Sequence, residues 1–227
     1  MVESLYLVPD WFYIFDLFLG LAFALISLIV SNYAYRIYQL TKEWEFNLFG
    51  ISFILISLSY IIRTAMNSFL TTLLSSPDRV LALSDISYFS TIVIFSYAFL
   101  FIAGYMTLAF TTINATSKRV YFLILVPSLL AFALSENNSM AIYLITVVAL
   151  IPICFHYGRL YFKTKDYKRL NMFIATLFLL ISNIVSMFIS DYHFITGYIL
   201  SSLLELIAYS IIGISLYMVV KNGEKKK

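Results

Sequence analysis

Three charged side chains fall inside long apolar runs of this sequence: Asp16, Arg63 and Glu205. An ionised group in hydrocarbon is costly, so each is a candidate functional residue by position alone. Glu205 lies about 11 residues into its run, ~16 Å deep at 1.5 Å per residue, near the middle of a bilayer. A carboxyl group at that depth must be neutral, paired or turned toward water. Asp16 lies about 7 Å below Trp11, and Arg63 about 25 Å along the following run. Those depths coincide on sequential helices, and an ion pair between the two is expected. The plainer alternatives are an Arg63 that snorkels to the surface and an Asp16 solvated at a mouth.

Polar residues at helical spacing extend the pattern. Ser52, Ser59, Arg63 and Asn67 share one face, Ser182, Asn183, Ser186 and Ser190 a second, and Tyr198, Ser201, Ser202, Glu205 and Tyr209 a third. They outline a ligand or ion cavity built around Glu205, Arg63, Asp16, Asn183, Ser201 and Tyr209. Hydroxyls in membranes also serve as packing groups, and Gly20, Ala24, Ser27 and Ser31 read as a close helix contact of that kind. No HExxH, glycine-rich phosphate loop or nucleophile elbow occurs. Cys154 is the only cysteine. The two histidines, His156 and His193, are expected at opposite membrane faces, where they cannot share a metal. Neither an enzyme nor a bound cofactor is expected.

The elements that position these residues follow from composition. Of 227 residues 62% are hydrophobic and 12% charged, with mean hydropathy +0.91. Soluble domains carry about 45–50% apolar and about 25% charged residues, so the chain belongs in a lipid bilayer. Apolar runs at about 11–38, 46–74, 85–112, 120–134, 140–162, 170–190 and 194–220 predict an all-α fold, a bundle of seven transmembrane helices. Residues 1–220 form a single membrane domain, and 221–227 a basic tail. The fourth run, interrupted by Pro127, is short for a span. Counting it as one puts Arg36, Lys42, Lys118, Arg119, Arg159, Lys163, Lys165, Lys168, Arg169, Lys221, Lys225, Lys226 and Lys227 on one side. Arg79 and the acids Glu3, Asp10, Asp78, Asp85, Glu136 and Asp191 then share the other. The positive-inside rule makes this a multi-pass protein of the cell membrane with its N-terminus out and C-terminus in.

Smaller signals agree. Trp11 and Trp44 mark opposite interfaces, and residues 76–83 read as a short interfacial helix entered through Pro77. The opening residues lack the basic stretch of a signal peptide, so the first helix is expected to be retained. The sequons at Asn114 and Asn137 read as chance. Basic residues spread over four short segments do not make a nucleic-acid footprint, although they favour anionic lipid by about 1 kcal/mol each.

The chain also resembles itself. Arg36-Ile37-Tyr38-Gln39-Leu40-Thr41-Lys42-Glu43-Trp44 recurs as Arg159-Leu160-Tyr161-Phe162-Lys163-Thr164-Lys165-Asp166-Tyr167, and Asn47 and Phe49 match Asn171 and Phe173 after a one-residue slip. Helices 1–2 thus correspond to 5–6, and in weaker register helix 3 to 7, with Tyr97, Tyr105 and Met106 against Tyr209, Tyr217 and Met218. The plan is a parallel 3+1+3 repeat, a kind known among transporters.

The first hairpin, apolar from 26 to 35, then Tyr35-Arg36-Ile37-Tyr38 and a short turn into residues 46–62, resembles that of seven-helix prokaryotic membrane sensor modules, which are often fused to histidine kinases. The resemblance covers about 50 residues on a generic pattern. It implies a receptor-like module that binds a small molecule from outside and, with no output domain after Val220, signals through a separate membrane or cytoplasmic partner. Microbial rhodopsins share the helix count, but the last run has no lysine for retinal. The repeat plan resembles sugar carriers of the proline-glutamine-loop type, yet no Pro-Gln pair occurs. A carrier for a small polar solute with Glu205 as proton or substrate site, and a structural subunit of a membrane complex, are the competing expectations.

Overall fold

A computed structural model describes residues 10–74, 83–113, 117–189 and 195–224. The expected interfacial helix at 76–83 lies almost wholly outside these residues, as do the Asn114 sequon, Asp191, His193 and the last three lysines. The described residues form seven helices: α1 (Asp10–Thr41), α2 (Trp44–Leu74), α3 (Leu83–Thr112), α4 (Lys118–Ala133), α5 (Asn138–Thr164), α6 (Tyr167–Ile189) and α7 (Ile195–Glu224). Six are long and apolar enough to cross a membrane; the chain is a polytopic, membrane-type helical bundle. With 16 residues, α4 reaches ~24 Å, short of the ~30 Å hydrocarbon core. Several helices run past the apolar segments, α1 through Arg36 to Thr41 and α5 through Arg159 to Thr164. Backbone hydrogen bonding does not stop where hydropathy does, and arginine and lysine are good helix formers.

Side-chain pairings fix the directions of the helices. Along α1, Gly20, Ala24 and Ser31 meet Thr64, Ser57 and Gly50 of α2, partners that descend as α1 ascends, so the pair is antiparallel. Asp16, Phe23 and Tyr33 meet Tyr198, Tyr209 and Tyr217, so α1 and α7 run parallel. In the same way α3 opposes α2, through Phe101 against Tyr60 and Gly104 against Ile56. It also opposes α4, through Phe95 against Phe132 and Thr107 against Tyr121.

The neighbours make a closed ring in the order α1, α2, α3, α5, α6, α7, with α4 outside it against α3 and α5. Side chains reach across the ring and fill it. Tyr105, Tyr209, Phe53 and Phe101 are fully buried at the centre. Toward the α1–α2 and α5–α6 turns the filling is aliphatic, with Val30, Ile37, Ile153 and Ile212 nearly inaccessible. Lipid tails are as apolar as leucine, so helix contact depends on small residues and interhelical hydrogen bonds. Ser57 donates to the Ala24 carbonyl at 2.9 Å and Ser182 to the Ser201 carbonyl at 2.8 Å. A Cβ on Gly104 would stand 2.7 Å from Ile56 Cγ1 and 3.0 Å from the Ser52 carbonyl oxygen, so α3 and α2 touch there because the side chain is missing. The α1 small-residue stripe is likewise a packing contact.

Candidate functional site: a charged cavity at the centre of the ring

On α2, Tyr60, Arg63 and Asn67 stand at spacings of three, four and seven and so point the same way, inward. On α7 the same spacing sets Tyr198, Ser201, Ser202, Glu205 and Tyr209 opposite them. Four of the six sequence-derived candidates, Asp16, Arg63, Glu205 and Tyr209, fall in two groups, and Asn183 and Ser201 line the cavity between them.

The first group lies near the start of α1. Asp16 accepts hydrogen bonds from Tyr198 Oη on Oδ1 and from Asn67 Nδ2 on Oδ2, the latter at 2.6 Å. Arg63 Nη2 donates to Tyr198 Oη at 3.1 Å and stands 3.7 Å from Asp16 Oδ1. The expected ion pair therefore forms, with Tyr198 between its members. The Arg63 guanidinium also sits 5.9 Å from the ring centres of both Tyr97 and Tyr198.

The second group lies deeper. Glu205 Oε1 accepts from Tyr60 Oη at 2.5 Å and from Tyr209 Oη at 3.1 Å, and Tyr209 in turn is 2.9 Å from Tyr105 Oη. All three tyrosines are buried. A buried phenol needs a partner for its hydroxyl, and here one carboxyl oxygen serves two of them.

Between the groups is a cavity with about 20 Å³ open to the centre of a water molecule, enough for roughly one water. Arg63, Glu205, Tyr60, Tyr97, Tyr143 and Tyr198 line it with Phe23, Phe101, Ser182, Asn183, Ser186, Ser201 and Ser202. Asn183 is fixed from both sides: its Oδ1 accepts from Thr146 at 2.8 Å and its Nδ2 donates to the Leu179 carbonyl at 2.8 Å. Ser201 bonds back to the Tyr198 carbonyl at 2.9 Å. Arg63, Glu205, Asn183 and Ser201 thus form the wall directly, whereas Asp16 and Tyr209 act through Tyr198 and Glu205.

Besides Phe23 and Phe101, three polar wall residues escape a sequence reading: Tyr60, Tyr97 and Tyr143. Tyr60 had a signal, since it lies three before Arg63 and seven before Asn67. The polar stripe through Ser52 and Ser59 drew the face elsewhere, and both hydroxyls prove to bond within α2, to the Phe49 and Ile56 carbonyls. Tyr97 and Tyr143 carry no such signal. Among the described residues no group of three His, Cys, Asp or Glu side chains is placed to hold a metal. His156 lies on α5 and Cys154 is half-buried there. Compared with known protein families, with curated proteins and with solved structures, the chain matches none.

Proposed function

We propose that the protein is a receptor-like membrane module that takes a small polar ligand into the Glu205–Arg63 cavity from the face where α1 begins. In this reading it passes the event to a separate signalling partner. One observation carries it: the charged side chains inside the ring run from Asp16 through Arg63 down to Glu205, and among the described residues none follows before the basic turns. Beyond Glu205 stand Tyr209, Tyr105 and Phe53, with the Phe53 and Tyr209 ring centroids 5.9 Å apart. An uncharged core follows. A charged path that leads to one face suits a sensor, because a carrier must open its site alternately to both.

The face where α1 begins is the outer one if the positive-inside rule holds. Arg36, Lys42, Arg159, Lys163, Lys165 and Arg169 gather at the α1–α2 and α5–α6 turns, at the opposite end of the bundle. We take that end as cytoplasmic and the membrane as the cell membrane.

The carrier alternative has one observation in its favour. The ring order places α1, α2, α3 and α5, α6, α7 as two halves around the cavity, as parallel repeats do around a transport site. Proteoliposome flux separates the readings. Ligand-dependent stabilisation of the detergent-solubilised protein, lost in Glu205→Gln and without flux, is the expected result. Solute uptake that disappears in Glu205→Gln would decide for the carrier.

A further inference from the structure

We infer that the ligand of this cavity is a small zwitterion, whose carboxylate is read by Arg63 and whose ammonium is read by Glu205. The inference rests on the ligand-binding reading above and assigns the ligand's chemical class.

Arg63 and Glu205 carry opposite charge and line one cavity, yet they form no ion pair with each other. The ion pair found among the described residues is Arg63 with Asp16. Each is held in place by its own side. Glu205 is anchored through Oε1 by two tyrosine hydroxyls, and Arg63 through Nη2 by Tyr198. Asp16 has both oxygens supplied by Tyr198 and Asn67. The direct anchoring bonds use one carboxyl oxygen of Glu205 and one terminal nitrogen of Arg63. Among the described residues no hydrogen bond reaches Glu205 Oε2, and none leaves Arg63 Nη1 or Nε. Arg63 keeps 30% of its side chain accessible.

A part-buried guanidinium and carboxylate with spare capacity on one small cavity call for partners. A lone water meets part of that demand. A carboxylate on the open edge of Arg63 makes the charge-assisted, two-pronged contact that guanidinium geometry favours. An ammonium on Oε2 lies beside Phe23, Tyr60 and Phe101, which line the same cavity. A purely anionic ligand would face Glu205, and a purely cationic one would face Arg63. Like charges juxtaposed in such a site are penalised, so the pair selects against both. Since the closed cavity holds roughly one water, the ligand is of the smallest amino-acid size and the wall moves outward to admit it.

The test is thermal unfolding of the purified full-length protein in detergent with glycine, methylammonium and acetate at equal concentrations. Glycine should raise Tm saturably, and the two singly charged probes should not. The apparent Kd should weaken about tenfold or more in Glu205→Gln and in Arg63→Gln. Should Arg63→Gln fail to fold, Arg63→Lys, which keeps the charge and loses the planar fork, should weaken binding in the same direction. Absence of any zwitterion effect on the wild-type protein overturns the inference, as does an undiminished effect in both variants. Stabilisation by methylammonium alone, lost in Glu205→Gln, overturns the zwitterion while leaving the receptor-like reading intact. Zwitterion uptake into proteoliposomes that depends on Glu205 does the reverse.

Discussion

Asp16 appears at first to be the counter-ion of Arg63, but the hydrogen bonds assign it another role. Its two oxygens are filled by Tyr198 and Asn67, and the guanidinium nitrogen stands off at 3.7 Å. A bond from a neutral donor to a charged acceptor contributes about 1.5–3 kcal/mol, whereas a part-exposed ion pair without a direct bond contributes about 0–1 kcal/mol. A double-mutant cycle on thermal stability should therefore give stronger coupling for Asp16→Asn with Tyr198→Phe than for Asp16→Asn with Arg63→Gln. Equal or reversed couplings would restore the simple ion pair. That Asp16, Arg63 and Glu205 matter was legible in the sequence, because charges in an apolar run are expensive and therefore few. The tyrosines that position them were not. The chain has 18 of them, and tyrosine is common at membrane interfaces for reasons unconnected with any site. Only the facing helices separate Tyr60 or Tyr97 from the rest.

At the scale of elements, hydropathy was enough to give seven helices, and it marked the odd one, α4, as short. It could not say that α4 lies outside a ring of six, because that depends on which helix touches which. The two turns of the proposed repeat add evidence that only coordinates supply. Lys42 and Lys165, aligned in the sequence, both adopt left-handed backbone, with φ of 60° and 52°. Their amides bond to the Tyr38 and Tyr161 carbonyls at 2.8 and 2.7 Å. Thr41 and Thr164, aligned just before them, both bond back to carbonyls four residues earlier. On the membrane-facing surface, recesses are lined by the residues one, four, five and eight positions before Arg36 and before Arg159. These likenesses favour the repeat for helices 1–2 and 5–6. The helix 3–7 alignment gains no such support, since Tyr105 stands level with Tyr209, not with Tyr217. Gly104 supplies a prediction at this scale. Gly104→Val should destabilise the protein by about 1–3 kcal/mol, the usual cost of overpacking, because the Ser52 carbonyl on the other side belongs to the backbone and cannot rotate away. Gly213→Ala, whose Cβ would meet only Val30 Cγ2 at an ordinary 3.5 Å, should be nearly neutral in the same unfolding assay.

For the molecule as a whole, the orientation in the bilayer decides what the cavity can sample. Parallel α1, α3 and α7 and the reversed α2 and α4 put the α1–α2 and α5–α6 turns at one end and the α4–α5 turn at the other. The first end carries most of the described basic residues and the second carries Glu136. Asp16 and Arg63 lie between Glu205 and the second. If the basic end faces the cytoplasm, the cavity reads the exterior; if the bundle sits the other way, the same geometry reads the cytoplasm and the partner must lie outside. The single cysteine makes the distinction accessible. In a Cys154→Ser background, Glu136→Cys should react with a membrane-impermeant maleimide on intact cells. Asp166→Cys, exposed in the α5–α6 turn, should react only after the membrane is opened. The opposite pattern would invert the protein, and with it the side from which a zwitterion must arrive.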